Sequence, residues 1–199
     1  MSISAKDVKA LRDRTGAGMM DCKKALTETN GNLEDAIDLM RASGAAKVAK
    51  RAEKIASEGT IGSYLHFDNR VASMVEINCE TDFVANTDEF KALARDIALH
   101  IASQAPQGVS DSDIASEVLD RERKVYEGQV KEEGKPEHIA EKIVEGKMRK
   151  YFEENTLLAQ PFVKNPDQTI AELITEISAK TGEKIEVARF VRMKVGEAE

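Results

Sequence analysis

Tryptophan is absent from this chain of 199 residues, and Phe and Tyr together make up only 5% of it. A core of stacked aromatic rings is excluded. The interior must be filled by Ala, Val, Leu and Ile, which suits helix-rich packing. Cysteine occurs twice, at Cys22 and Cys79, too few for a disulfide framework and with no second Cys or His at metal-ligand spacing. Both read as small hydrophobes. No apolar run approaches the roughly 20 residues of a membrane span. The start Met1-Ser2-Ile3-Ser4-Ala5-Lys6-Asp7 lacks the apolar stretch of a secretory signal, so cytoplasmic residence is the expectation. There is no G-x-x-x-x-G-K-S/T phosphate loop, no H-E-x-x-H and no Cys/His cluster; neither a cofactor nor a metal is expected. His66, His100 and His138 fall on three different elements. A Cys79–His66 nucleophilic pair is conceivable but has no visible third group to orient it.

A basic excess is also missing. The chain carries 29 Lys and Arg against 36 Asp and Glu, a net charge of -7, which argues against direct binding of nucleic acid. The charge is uneven: residues 1–56 hold 11 basic against 8 acidic side chains, and the rest of the chain holds 18 against 28. Lys47, Lys50, Arg51 and Lys54 form one basic helical face, either simply solvated or turned to an acidic partner.

What is present is mostly helical periodicity. Ser4 caps a first helix with Val8 and Leu11 on its apolar side, and Thr15-Gly16-Ala17-Gly18 ends it. A second runs from about Met19 to Thr29 with Met19, Cys22, Ala25 and Leu26 as its stripe. After the Asn30-Gly31 turn, Asn32 caps a third, marked by Leu33, Ala36, Ile37 and Met40 and closed by Ser43-Gly44. Residues 1–44 thus read as a three-helix module of the ubiquitin-associated type, and residues 45–56, with their stripe of small side chains, as a helical linker.

Residues 57–199 read as an α+β core domain. Ile61, Ser63, Leu65 and Phe67 alternate with Gly62, Tyr64 and His66, and Asp68-Asn69-Arg70 turns the chain into a hairpin. Gly59-Thr60-Ile61-Gly62 has the spacing of an RNA-binding KH loop, with neither the helical context nor the basic field to support it. A helix carrying Phe90, Leu93, Ala94, Ile97 and Ile101 follows. Residues 110–153 read as a protruding antiparallel helical hairpin: Ile114, Val118, Arg121 and Val125 mark one arm, Gly134-Lys135-Pro136 the turn, and Ile139, Ile143, Val144, Met148, Tyr151 and Phe152 the other. The apolar run Leu157 to Val163 reads as an extended buried piece. Thr169 and Glu172 form a capping box for a helix with Ile170, Leu173, Ile174 and Ile177, stopped by Gly182. Ile185, Val187, Val191, Met193 and Val195 supply a third strand, giving a three-stranded antiparallel sheet with helices on one face.

One stretch stands apart. Val71, Ser73, Val75, Ile77 and Cys79 alternate with Ala72, Met74, Glu76, Asn78 and Glu80 as in a half-buried strand. The alternation stops at Thr81, and Asn86 with Glu89 reads as the next helix start. Between them a short segment holds the carboxylate of Asp82 beside the ring of Phe83. Such a pair is either a turn residue beside a core plug, or a contact held out from the body by two rigid elements. Met19 and Met20, beside their Gly-rich turn, are likewise either core or an adaptable contact patch.

The run Glu76-Ile77-Asn78-Cys79-Glu80-Thr81-Asp82-Phe83-Val84-Ala85-Asn86 resembles a signature of the bacterial elongation factor Ts family, the nucleotide exchange factors of elongation factor Tu. The run from Leu11 through Asp13-Arg14-Thr15-Gly16 and Met19-Met20-Asp21-Cys22 to Leu26 resembles the family's other signature. Leu157 to Val163 is also similar to a segment of that family. The resemblance implies a translation factor, not an enzyme in its own right. It implies binding to GDP-bound and nucleotide-free elongation factor Tu, with Thr81, Asp82, Phe83 and Val84 disturbing the partner's Mg²⁺ site. Arg12, Met19 and Met20 are implied to dock the N-terminal module on the partner. The family's longer members resemble a tandem pair of α+β units, and this chain has room for one, so a homodimer is a further expectation. The competing class is a ubiquitin-associated-type adaptor or scaffold without exchange activity. A Cys-dependent hydrolase comes third.

Overall fold

The computed structural model describes residues 3–134 and 136–197, without the side chains of Glu137 and His138; the readings at Lys135 and His138 lie outside the described residues. In chain order the elements are α1 (Ala5–Thr15), α2 (Met19–Glu28), α3 (Leu33–Ala49), β1 (Glu58–Leu65) and β2 (Val71–Cys79). The single-turn α4 (Asp82–Ala85), α5 (Asp88–Gln104), α6 (Ser116–Glu132) and α7 (Glu137–Asn155) follow. The chain closes with β3 (Pro161–Phe162), β4 (Asn165–Thr169), α8 (Ile170–Thr181) and β5 (Glu186–Lys194). The fold is α+β, with a three-stranded antiparallel sheet in the order β1-β2-β5 and a separate antiparallel pair, β3-β4. The chain divides into two compact units. One comprises the chain up to Gly59 with Asn78–Ala85 and Ile174–Glu186; the other comprises Thr60–Ile77, Asn86–Leu173 and the chain from Val187 onward.

In the first unit, local chemistry sets the helix ends. The Ser4 hydroxyl accepts from the Asp7 N–H while the Asp7 carboxylate accepts from the Ser4 N–H, a reciprocal cap on α1. Gly16, at φ 64°, ends α1 and returns its N–H to the Arg12 carbonyl. Asn32 caps α3 by accepting from Glu34 and Asp35. Val8, Leu11, Cys22, Ala25, Leu26 and Ala36 form one buried cluster, flanked by Leu33, Ile37 and Met40. Ser43-Gly44 does not end the third helix. α3 runs on to Ala49, and Gly44 lies buried within it, where an added Cβ would stand 3.1 Å from the Cβ of Ala179. The glycine serves a close helix approach, not a stop, so the first half of the expected linker continues α3, and residues 50–53 leave it as turns.

In the second unit α5 lies across the sheet on a row of alanines one helical turn apart. The Ala94 carbonyl abuts Gly62 of β1, so closely that a Cβ there would meet its oxygen at 2.2 Å. The Ala98 carbonyl accepts from Ser73 Oγ of β2 at 2.6 Å, and the Ala102 carbonyl from Arg192 Nε of β5 at 3.2 Å. Three strands thus meet three successive turns of one helix, with Phe90, Leu93, Ile97 and Ile101 buried. Thr87, not Asn86, caps α5, its hydroxyl accepting from the Phe90 N–H.

The alternation in β2 is as expected: Ser73, Val75, Ile77 and Cys79 are buried. That of β1 is the reverse. Gly62 is buried and Tyr64 half-buried, while Ile61, Leu65 and Phe67 are exposed. In β5, Val187 is buried, but further on Phe190 and Arg192 are the half-buried residues and Val191 and Met193 are exposed. The inward parity switches between Val187 and Phe190, as one extra residue in a strand makes it do. The sheet face away from α5 therefore carries Ile61, Leu65, Met74, Val191 and Met193 in the open.

α6 and α7 pack on each other around Val130, Val144 and Met148, with Leu119, Tyr126, Ile143 and Phe152 alongside. Val118 and Val125, expected inward, are partly exposed. Their stripe lies one residue out of phase with the packed one. Leu157 to Val163 is a 3₁₀ turn followed by β3 rather than a plain extended piece, and Leu157 and Phe162 are buried. The Thr169–Glu172 box opens α8 as expected, and Gly182, at φ 72°, follows its end.

Candidate exchange tip and its brace

Thr81 to Val84, read as a loop, is a helical turn. Its root is Thr81, whose carbonyl accepts from the Ala85 N–H at 3.2 Å and whose hydroxyl accepts from the Val84 N–H at 3.4 Å. Ala85 is buried and anchors the turn, Thr81 and Val84 are half-buried, and Asp82 is exposed. Phe83 is 82% exposed. The ring is not a core plug.

A four-residue helix has too few internal bonds to hold itself. Two carboxylates, crossing in opposite directions, hold its root. Glu183 accepts from the backbone N–H groups of Glu80 and Thr81, both at 3.1 Å, and from the Thr81 hydroxyl at 2.6 Å. Glu80 in turn accepts the Lys184 N–H at 2.6 Å and a two-pronged contact from Arg51, Nε at 2.9 Å and Nη2 at 2.8 Å. Glu183 is itself fixed by its carbonyl, which accepts from Ser178 Oγ, and by its N–H, which donates to Thr181 Oγ1. The end of β2 and the α8–β5 connection thus trade backbone donors, and the last turns after α3 close the clamp through Arg51.

The electrostatics follow from these bonds. The Arg51 guanidinium, then the Lys184 N–H, draw the Glu80 carboxyl down to about 2, and Arg51 is raised in return. Cys79 is buried and its thiol donates to the Thr81 carbonyl at 3.2 Å; burial, then the Glu183 charge, push its pKa up. A buried thiol held neutral is a poor nucleophile. His66 is engaged elsewhere, its Nδ1 2.9 Å from the Tyr64 hydroxyl. Among the described residues no group of three or more His, Cys, Asp or Glu is arranged to hold a metal, and no helix is long and apolar enough to cross a membrane.

The other expected contact residues flank the turn between α1 and α2. Arg12 is exposed near the end of α1, Met19 is partly exposed at the start of α2, and Met20 is 76% exposed. The α2 stripe that enters the core is Cys22, Ala25 and Leu26, without Met19. Arg12, Met19, Met20 and Thr81 to Val84 all belong to the first compact unit. Sequence reasoning missed the brace. Its partners stand 29 positions apart for Arg51 and Glu80 and 102 to 104 apart for the rest, and no spacing rule links Glu183 to Thr81.

A family model described as Elongation factor TS matches residues 3–197. Among curated relatives, the Elongation factor Ts of Carboxydothermus hydrogenoformans is 53% identical over 195 residues, covering 98% of this chain and 90% of that protein. That of Thermosipho melanesiensis is 52% identical, covering 98% of this chain and 100% of its own length, and that of Moorella thermoacetica 52%, covering 98% and 96%. With a match that spans nearly every residue, braced tip and exposed methionine turn included, the chain belongs to the elongation factor Ts family.

Proposed function

We propose that this chain acts in translation as the guanine nucleotide exchange factor of elongation factor Tu, and that Phe83 is the side chain that loosens GDP. The physical demand is modest. An exchange factor must bind the nucleotide-free partner better than the GDP form, and by linkage it weakens GDP by the factor by which GDP weakens it. A thousandfold weakening needs only about 4 kcal/mol of differential contact.

The observation that carries the reading is Phe83, 82% exposed on a turn braced at its root. A phenyl ring fully buried from water is worth about 1.5–3 kcal/mol, and nearly all of that burial is still to be made. Pushed between elements of the partner, the ring supplies much of the required energy, while Asp82 and Val84 contact groups displaced around the partner's Mg²⁺ and phosphates. Arg12, Met19 and Met20 dock the N-terminal module, residues 1–44 with α3 running on to Ala49, whose three helices suit the ubiquitin-associated type. Residues 45–56 lead into the core domain, 57–199, from which α6 and α7 protrude as a hairpin. GDP-bound and nucleotide-free elongation factor Tu are the partners, and the cytoplasm is where translation uses them.

A homodimer is part of this reading. Ile61, Leu65, Met74, Val191 and Met193 leave one sheet face apolar and exposed, more than scattered surface hydrophobes explain. Since longer family members resemble a tandem pair of α+β units, a second copy is the natural cover. The adaptor reading is less well supported, since it leaves the braced ring without a use.

The test is stopped-flow release of a fluorescent GDP from elongation factor Tu. Phe83→Ala is expected to lower the rate at saturating factor roughly 30- to 150-fold, the equivalent of about 2–3 kcal/mol, with the circular dichroism spectrum unchanged. An unchanged saturated rate removes Phe83 from the mechanism.

A further inference from the structure

We propose that Glu183 is a positioning residue for nucleotide exchange: with Glu80 and Arg51 it sets the direction in which the Phe83 turn points. The inference rests on the reading of Phe83 given above and adds to it a device remote in sequence.

Glu183 is half-buried and acts on its own chain. Its carboxylate is spent on the two backbone N–H groups at which β2 ends, Glu80 and Thr81, and on the Thr81 hydroxyl. Those groups fix the last peptides before α4, and the Thr81 hydroxyl and carbonyl cap α4 through Val84 and Ala85. The direction of the turn is therefore set at Thr81, and Glu183 holds Thr81 by two bonds and its neighbour Glu80 by a third. Glu80 returns the bond to Lys184, the neighbour of Glu183, so neither strand end can rotate without breaking contacts of the other. Arg51 grips Glu80 from outside with both prongs, and Ser178 fixes the Glu183 backbone. The two carboxylates face opposite ways across one junction, a geometry that resists twisting. If helix packing were the only need, a polar junction of six bonds at the root of one exposed turn would be superfluous. A wedge does its work only if its root does not yield under load.

The experiment combines exchange kinetics with a double-mutant cycle on the full chain. Glu183→Ala is expected to lower the saturated GDP-release rate about tenfold while the half-saturating concentration stays within twofold, because the docking residues are untouched. Glu183→Gln keeps an acceptor for the two N–H groups, and its amide can donate to the rotated Thr81 hydroxyl; it is expected to restore most of the rate. Glu183→Ala combined with Phe83→Ala is expected to be no slower than Phe83→Ala alone, since a brace matters only through what it braces. Hydrogen exchange should show the Glu80 and Thr81 amides exposed in Glu183→Ala. Should that variant fail to fold, Arg51→Met, which removes only the outer grip, carries the same cycle. Losses that add fully in the double variant, or that appear only in the half-saturating concentration, overturn the inference and leave the Phe83 reading standing. A Phe83→Ala variant with an unchanged rate overturns both.

Discussion

The sharpest test of the fold is a single methyl group moved among three glycines. At Gly62 an added Cβ would lie 2.2 Å from the Ala94 oxygen, 2.4 Å from its carbonyl carbon and 2.9 Å from its Cβ. Ordinary contact begins near 3.4 Å, so strand and helix must part by about 1 Å. The obstacle is backbone and cannot swing aside. α5 is also tethered one and two turns further along, through Ser73–Ala98 and Arg192–Ala102, so retreat strains those bonds as well. Overpacking costs about 1–3 kcal/mol, and each weakened hydrogen bond adds about 1 kcal/mol. Against this, replacing a strand glycine returns roughly 0.5–1 kcal/mol of chain entropy. The net for Gly62→Ala is a loss of about 3 kcal/mol, or a fall in Tm of roughly 6–12 °C for a chain of this size. Gly128 and Gly146 lie exposed within α6 and α7 with nothing within 4 Å of the added atom. There the same change should raise stability by about 0.5–1 kcal/mol. Urea and thermal melts followed by far-ultraviolet circular dichroism separate the cases. A Gly62→Ala protein melting within a degree or two of its parent would show that α5 does not press on β1 as described.

The remaining predictions concern docking, assembly and pH. Met20→Ala and Arg12→Ala should raise the half-saturating concentration in the GDP-release titration while lowering the saturated rate little; the reverse pattern refutes their docking role. Sedimentation should find a dimer that Leu65→Asp with Met193→Asp converts to monomer, and a monomer at high concentration in the parent chain would remove the second copy. His100 is fully buried, its Nδ1 accepting from the Val163 N–H and its Nε2 bonded to Gln160, so the neutral ring uses both nitrogens and burial holds its pKa below the ordinary value. The unfolded imidazole protonates below about pH 6.5 while the folded one resists. Its contribution is therefore complete above that pH and is lost as pH falls toward the folded value. Urea midpoints should drop between about pH 7.5 and pH 5.5, and His100→Asn should flatten that part of the profile; an equally steep profile in the variant would refute the assignment.

Much of the architecture was legible because it is written locally. Ser4, Asn32 and the Thr169–Glu172 pair announce helix starts within three residues, and the stripe from Phe90 to Ile101 announces a buried helix face. Two of the larger misses share one cause, since the deciding partner is distant in sequence. A period of two says that a strand has two faces, not which one is covered. In β1 the apolar phase is the open one, and the covered phase is marked by a glycine that lets a helix backbone approach. Gly44 reads as a stop until Ala179 is seen against it. Of the candidate site, the signature residues were plain, but their form as a helical turn was not, because a single turn carries no period of its own. The brace is invisible for the same reason as the sheet phase: Glu183 gains its meaning only from Thr81.

The first compact unit is not continuous along the chain; it is stitched from the stretch up to Gly59, Asn78–Ala85 and Ile174–Glu186. Synthesis proceeds from the N-terminus, and early segments fold as they emerge. The three-helix module can therefore form while most of the protein is unmade, whereas the clamp under Phe83 must wait for Glu183, 102 positions beyond Thr81. A newborn or prematurely terminated product would be able to hold a partner before it could unload one. On the roles proposed above, the reach of that carboxylate back across 102 positions thus puts docking before exchange in the order of assembly.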